Sequence, residues 1–167
     1  MSYTENLLTN LLQHEKRNRT EVNQFFKFLK RKKPSDLDYH MHEIHDLVFS
    51  RIDCLQCANC CRSLGPRITN NDINRLSKSL RIKQNQFIDT YLIIDEDGDY
   101  VFKLMPCPFL DTDNCCKVYN DRPQACREYP HLNRRKFIQI LEITNKNRST
   151  CPAVYEAIEI LQSRIKP

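Results

Sequence analysis

Apolar residues near the start of the chain are spaced like the buried faces of two helices. Each stripe repeats at intervals of three and four residues, and a polar stretch separates them. The stripe residues are Leu7, Leu8, Leu11 and Leu12, then Val22, Phe25, Phe26 and Leu29. Thr20 precedes the second stripe as a candidate N-cap, and Pro34 follows it as a stop. The pattern therefore predicts two helices before residue 34.

A third amphipathic stripe follows Pro34, with Ser35 or Asp36 as its candidate N-cap. Its apolar residues are Leu37, Met41, Ile44, Val48 and Ile52. Together the three stripes predict an N-terminal helical arm over residues 1–50. We expect this arm to serve as a packing surface or to bind a protein partner.

The middle of the chain predicts short helices and a hairpin. One helix is expected from an N-cap at Thr69 or Asn70 to Leu80, and another over residues 84–91. Residues 92–104 contain two apolar segments on either side of an acidic, glycine-containing turn. Such a pattern is typical of a β-hairpin.

The last part of the chain is less regular in pattern. Residues 136–143 fit a second strand pair, although a helix fits almost as well. Cys151-Pro152 opens a final helix, because proline suits the first helical position. We predict an α+β fold that is mainly helical, with the N-terminal arm, an irregular cysteine-rich metal-binding domain over 51–167 and a closing C-terminal helix.

Nine cysteines in 167 residues are the most unusual feature of the composition. Four of them form the motif Cys54-x2-Cys57-x2-Cys60-Cys61. A two-residue gap lets both sulfurs reach one metal, as in zinc knuckles and iron-sulfur loops. A bacterial ferredoxin run is excluded because Leu64 stands where its fourth cysteine is required. The spacing C-x3-C-x2-C of radical S-adenosylmethionine enzymes fails at the same position.

The cellular compartment bears on the chemistry of these thiols. No segment approaches the roughly 18 consecutive apolar residues of a membrane span. The start of the chain also lacks the pattern of a secretory signal. We therefore expect a cytoplasmic protein without a membrane partner, in which clustered cysteines are reduced and bind metal rather than form disulfides.

The formal net charge is +5, and it includes basic runs at Lys30–Lys33 and Arg134–Lys136. Thiolate ligands would offset much of this excess, since bound divalent metals cancel only part of their negative charge. No aromatic residues are interleaved with either run, and no recognition-helix signature accompanies them. The sequence therefore argues against a nucleic-acid partner.

Further cysteine motifs lie downstream of the first cluster. They are Cys107-Pro-Phe-Leu, Cys116-Lys-Val-Tyr, Arg122-Pro-Gln-Ala-Cys126-Arg-Glu-Tyr-Pro and Cys151-Pro. Their order over residues 54–152 resembles the YkgJ-type cysteine-cluster family, a zinc- or iron-chelating domain with the hallmark CxxCxxCC. The flagellin lysine N-methylases have a similar cysteine motif.

The resemblance implies a set of eight thiolate ligands: Cys54, Cys57, Cys60, Cys61, Cys107, Cys116, Cys126 and Cys151. Cys115 is then the extra cysteine, because Tyr119 fixes the motif on Cys116. Arg122 and Arg127 are expected to donate hydrogen bonds to the sulfurs or to nearby carbonyls. Asn59 stands where the family commonly has glycine, and we expect it to adopt the same left-handed backbone.

Eight thiolates permit two mononuclear sites, one dinuclear site, or one 4Fe-4S cluster with spare cysteines. The resemblance to the N-methylases favours iron-sulfur over zinc. Two function classes follow: a metal-binding module without catalysis, or a redox or metal-dependent protein-modifying enzyme that acts beside the cluster. The chain has no glycine-rich methyl-donor loop, so the methylase activity is not inferred.

Overall fold

The computed structural model of the chain describes residues 2–166, which pack as two compact units. Unit 1 comprises residues 2–57 and 130–166, and unit 2 comprises residues 58–129. Within residues 2–166, no helix is both long enough and apolar enough to cross a membrane.

Most of the described chain is helical. In chain order the helices are α1 (Tyr3–Lys32), α2 (Leu37–Phe49), α3 (Cys54–Cys57), α4 (Asn59–Ser63), α5 (Asn70–Ser79), α6 (Gln84–Tyr91), α7 (Gln124–Glu128), α8 (Leu141–Asn147) and α9 (Pro152–Arg164). Two strands, β1 (Leu92–Ile94) and β2 (Tyr100–Phe102), form an antiparallel hairpin. The 3-10 segments are Tyr119–Asp121 and Phe137–Ile140. The predicted class, α+β and mainly helical with helices at both ends, is confirmed.

Helix α1 is continuous over 30 residues, so the predicted break before Thr20 is wrong. Ser2 and Glu5 form a reciprocal capping box at its start. The polar middle stretch is helical because it makes contacts of its own. Glu15 is buried and accepts two hydrogen bonds from Arg19, at 2.8 and 2.6 Å.

A polar cluster beside Glu15 anchors the middle of α1 in unit 1. The Asn18 amide donates hydrogen bonds to the Tyr155 hydroxyl at 3.0 Å and to Glu159 Oε1 at 2.6 Å. Arg148 is fully buried and donates to Asn18 Oδ1 at 2.7 Å. Polar residues in this part of α1 therefore pack within unit 1 and do not interrupt the helix.

The apolar core of unit 1 is formed by α1, α2, α8, α9 and the segment 132–140. Its buried residues include Val22, Phe25, Leu29, Leu37, Met41, Ile44, Val48, Leu132, Phe137, Leu141, Val154, Ile158 and Leu161. The stripes predicted for the second and third helices of the arm supply much of this set. The division of the sequence into domains at residue 50 stays a prediction.

Residues 137–143 are helical, so the strand-pair alternative predicted for 136–143 is wrong. Phe137–Ile140 is a 3-10 segment that leads into α8. Phe137, Ile140, Leu141 and Thr144 are buried, which is the spacing of one helical face. Many residues of this segment have a high β propensity. That propensity does not decide the structure, because the apolar positions pack into the core of unit 1.

Unit 2 confirms the elements that were predicted for the middle of the chain. Thr69 caps α5 with a capping box, and α6 begins and ends at the predicted residues. In the hairpin, Leu92 pairs with Phe102 and Ile94 with Tyr100. The core residues are Ile68, Ile73, Leu76, Phe87, Leu92, Phe102, Phe109 and Val118.

Candidate metal centre

The CxxCxxCC motif is helical on both sides of Ala58. Cys54 and Cys57 lie on α3, and Cys60 and Cys61 lie on α4. Ala58 has the left-handed backbone, with φ 45° and ψ 17°, and Asn59 is the first residue of α4. The expectation that Asn59 adopts the left-handed conformation is therefore wrong. The turn between the two short helices falls one residue earlier, at a side chain with only a methyl group to accommodate.

Three cysteines belong to unit 1: Cys54, Cys57 and Cys151. Asp53 caps α3 by accepting the Leu55 N–H at 2.9 Å, and its own N–H donates to buried Thr4 at 3.2 Å. Cys151 is the N-cap residue of α9. Burial, with a smaller contribution from the charges of Cys57 and Cys54, raises the pKa of Cys151 to about 12. We call these three the unit 1 thiols.

The backbone of unit 2 ties three distant cysteines together. The Cys107 N–H donates to the Cys61 carbonyl at 2.8 Å. The Cys107 carbonyl accepts the Leu110 N–H at 3.0 Å, and Leu110 forms an isolated antiparallel bridge with Cys116. Cys61, Cys107 and Cys116 are thus fixed in one neighbourhood although the chain separates them widely.

Cys126 is brought to the same neighbourhood by α7. The first residue of this helix, Gln124, donates its N–H to Oδ1 of Asp72 at 3.0 Å. Asp72 lies on α5 and has no solvent exposure. The charges of Cys61, Cys107 and Cys116 all raise the pKa of Cys126, beyond the effect of burial. Cys61, Cys107, Cys116 and Cys126 are hereafter the unit 2 tetrad.

Every pair of sulfurs within the unit 2 tetrad interacts electrostatically. Burial raises the pKa of Cys107 to about 11 and that of Cys126 to about 12, and it also raises the pKa of Cys116. Like charges then add to the increase, because four neighbouring thiolates repel one another. A cation is the species that relieves both effects, since it stabilises the deprotonated sulfurs.

Backbone N–H groups point at several of these sulfurs. Those of Phe109 and Leu110 hydrogen-bond to Cys107, and that of Val118 to Cys116. These contacts lower the pKa of each thiol, against the larger effect of burial. Hydrogen bonds from the backbone to sulfur also stabilise metal thiolates and tune iron-sulfur clusters.

Cys61 differs from the rest of the tetrad. A hydrogen bond with Cys60 lowers the pKa of Cys61 to about 7, burial opposes this, and the charge of Arg62 lowers it further. The two sulfurs are 4.0 Å apart. Two ligands of a tetrahedral zinc site lie about 3.8 Å apart, given a Zn–S distance of about 2.3 Å. Cys60 therefore stands where it can join or support a centre that includes Cys61.

Cys115 has a different environment from its neighbour Cys116. Its pKa is raised chiefly by a hydrogen bond with the carboxylate of Asp113, which also accepts the Cys115 N–H at 2.9 Å. Of the two neighbours, Cys116 is the one that interacts with the other tetrad sulfurs, as the position of Tyr119 in the sequence motif predicts. That Cys115 is dispensable stays a prediction.

The two arginines of the motif lie close to the tetrad. The guanidinium of Arg122 stacks on Tyr119 at 3.9 Å from the ring centre, and its charge lowers the pKa of Cys116 and Cys126. Arg127 Nε donates to the Arg122 carbonyl at 3.0 Å, as predicted for a bond to a nearby carbonyl. Donation to sulfur on metal binding stays a prediction for both.

Sequence reasoning missed two residues of this region. Asp72 positions α7, and its only signal is a capping box after Thr69. Arg62 places its charge beside Cys61, and a basic residue directly after the CC pair is the signal that was available. The role of Asp72 cannot be read from spacing alone, because it depends on a contact with the distant Gln124.

The donor set fits a soft metal centre. Among residues 2–166, no three His, Cys, Asp or Glu side chains already have the spacing of a complete ligand set. The tetrad offers four thiols, and tetrahedral thiolate coordination is typical of zinc and of iron-sulfur clusters.

The thiol groups of both units define a cysteine-rich domain. Residues 53–152, more than half of the chain, match the model of the CxxCxxCC family, described as a "putative zinc- or iron-chelating domain". The chain belongs to this family, and the predicted YkgJ-type resemblance is confirmed. No curated protein and no solved structure matches the chain.

Proposed function

We propose that the protein holds a metal or iron-sulfur centre on the unit 2 tetrad and acts as a metal-binding module in the cytoplasm. The observation that carries this proposal is the electrostatic coupling of all four sulfurs, which the backbone contacts of Cys107 and the Asp72 contact of α7 bring together. Four thiolates provide a complete tetrahedral set for zinc or for the irons of a 4Fe-4S cluster.

The chain's own residues offset the charge of such a centre. Four thiolates around one divalent metal leave about two negative charges. Arg62 and Arg122 supply positive charge beside the sulfurs, and N–H groups of Phe109, Leu110 and Val118 donate to them. A bound metal would add roughly 10 kcal/mol of apparent folding free energy. These charges and hydrogen bonds would therefore stabilise a bound metal centre.

The unit 1 thiols supply a further group of ligands. The charges of Cys54 and Cys57 both raise the pKa of Cys151, so these thiols lie within electrostatic reach of Cys151. With Cys60 they complete the eight thiolates that the family resemblance implies. We therefore expect metal content above one zinc ion per chain if zinc is the native metal.

The resemblance of the cysteine motif to that of the flagellin lysine N-methylases favours an iron-sulfur cluster over zinc, and the backbone hydrogen bonds to sulfur are compatible with either centre. The test is anaerobic purification of the whole chain, followed by analysis of zinc, iron and acid-labile sulfide and a visible spectrum. Equal iron and sulfide with a broad charge-transfer band would establish a cluster. Zinc alone would establish the tetrathiolate zinc site, and a metal-free folded protein would contradict the proposal.

A further inference from the structure

The two basic runs of the sequence meet at one end of unit 1. The carboxylate of Asp38, in the first turn of α2, accepts the N–H of Lys136 at 2.6 Å and that of Phe137 at 2.8 Å. Lys33 is the C-cap residue of α1, only a few positions before Asp38. Phe137, Leu29 and Leu37 belong to the same buried cluster. The segments 30–33 and 134–136 therefore border one edge of one core.

All seven cations of these runs are exposed: Lys30, Arg31, Lys32, Lys33, Arg134, Arg135 and Lys136. The ion pairs of the described residues use other arginines and lysines, such as Arg19, Arg51 and Arg164. Cations in the last turn stabilise α1 through its dipole, which accounts for part of the first run. That effect does not account for Arg134–Lys136, which lie outside any α-helix.

Two of these basic residues have a backbone conformation that is unfavourable for a residue with a side chain. Lys33 has φ 47° and Lys136 has φ 58°, both in the left-handed region. Glycine adopts this region more readily than any residue with a side chain. Lysine at both positions keeps positive charge at the point where the two runs meet.

A groove of about 460 Å³ lies beside the first run, between α1 and α9. Its lining combines aromatic, amide and cationic groups with one carboxylate: Phe25, Phe28, Gln24, Gln162, Lys27, Arg31 and Glu21. Phe28 is half-buried and stacks on Phe25, with ring centres 6.3 Å apart and planes 21° apart. Arg31 belongs both to the groove and to the basic run. The sequence did not reveal this combination of aromatic, amide and cationic groups.

We propose that this basic surface, residues 30–33 and 134–136 with the adjoining groove, binds single-stranded nucleic acid. The exposed cations contact backbone phosphates, and an unstacked base enters the groove beside Phe28. Gln24 and Gln162 offer donors and acceptors to the edge of the base. An acidic protein would be attracted by the same cations, so it is the competing occupant that the experiment below includes.

The test is fluorescence anisotropy of a labelled single-stranded oligouridine with the anaerobically purified 167-residue chain at several salt concentrations. The triple variant Arg134→Gln, Arg135→Gln, Lys136→Gln should weaken binding by roughly tenfold or more at low salt. The slope of log affinity against log salt should fall by about 0.7 for each phosphate that the variant no longer neutralises. Phe28→Leu should weaken binding and leave that slope unchanged.

The matched control is Lys16→Gln with Arg17→Gln, two exposed cations of α1 outside the basic surface. We expect it to retain nearly all affinity, and circular dichroism checks the fold of each variant. Polyglutamate serves as competitor for an acidic protein. The proposal is overturned if the oligouridine does not bind, if the control loses as much affinity as the triple variant, or if polyglutamate competes equally while Phe28→Leu has no effect.

Discussion

The backbone N–H of Gln124 donates a 3.0 Å hydrogen bond to the buried carboxylate of Asp72. The same carboxylate accepts from Thr69 N–H at 2.9 Å, from the Thr69 hydroxyl at 2.6 Å and from Arg75 at 2.5 Å. Arg75 in turn donates to the Arg122 carbonyl at 2.9 Å. One side chain therefore caps α5 and fixes the start of the helix that carries Cys126.

Replacement of Asp72 tests this anchoring role. Asp72→Asn keeps the shape of the side chain but presents an NH₂ group to donors, which leaves buried groups without acceptors. We expect the free energy of unfolding to fall by about 1–3 kcal/mol. Urea denaturation measures it. Asp89→Asn, at an exposed position of α6, is the control and should change stability by less than about 0.5 kcal/mol.

The stability contributed by Asp72 should also depend on pH. Burial opposes its ionisation, but the hydrogen bonds from Thr69, Arg75 and Gln124 outweigh this and hold its pKa below the usual value. The stabilisation is therefore complete above the unfolded pKa of about 3.9, and is lost as the pH falls through the folded pKa. The stability difference between wild type and Asp72→Asn should narrow on acidification below about pH 4. A constant difference would show that the carboxylate does not titrate as argued.

A third prediction concerns the polar middle of α1. Glu15 pairs with Arg19, and its charge also supports the fully buried Arg148. Glu15→Gln should lower the free energy of unfolding by about 1–3 kcal/mol, because the buried Arg148 loses a compensating negative charge. Urea denaturation of Glu142→Gln, an exposed replacement on α8, is the matched control. Equal effects of the two replacements would refute the role given to Glu15.

Local signals account for much of the fold. Thr69 marks the start of α5, Pro152 the start of α9, and the alternation around residues 92–102 the hairpin, since each depends on nearby residues. The continuity of α1 was not predictable, because Glu15 and Asn18 are held by contacts from α1 itself and from distant α9 and Arg148. The secondary structure of residues 136–143 was ambiguous for the same reason. The carboxylate of Asp38, which is distant in the sequence, accepts the N–H of Phe137 at the start of this segment.

At the candidate site, too, some features could be predicted from the sequence and others could not. The motif and the resemblance identified the cysteines by number, but not their distribution between unit 1 and unit 2. That distribution depends on the left-handed Ala58 and on the contact of Cys107 with Cys61, neither of which has a pattern in the sequence. Asp72 was missed because its partner Gln124 lies far along the chain.

The fourth prediction separates two adjacent cysteines. Cys116→Ser should release metal, because Cys116 interacts with Cys61, Cys107 and Cys126, whereas Cys115→Ser should retain it, because Asp113 dominates the environment of Cys115. Elemental analysis of the two variants after identical anaerobic purification compares them. Loss of metal from the Cys115 variant alone would show that Cys115, and not Cys116, is the ligand.

The most direct test of the central claim compares the metal content of wild type with that of Cys126→Ser. Cys126 is the tetrad member furthest along the chain, and α7 and Asp72 position it. Native mass spectrometry of the anaerobically purified proteins gives the bound mass, and elemental analysis gives its composition. The account predicts a wild-type protein with zinc or iron and sulfide, and loss of at least one centre in Cys126→Ser. Identical metal content in the two proteins would contradict it.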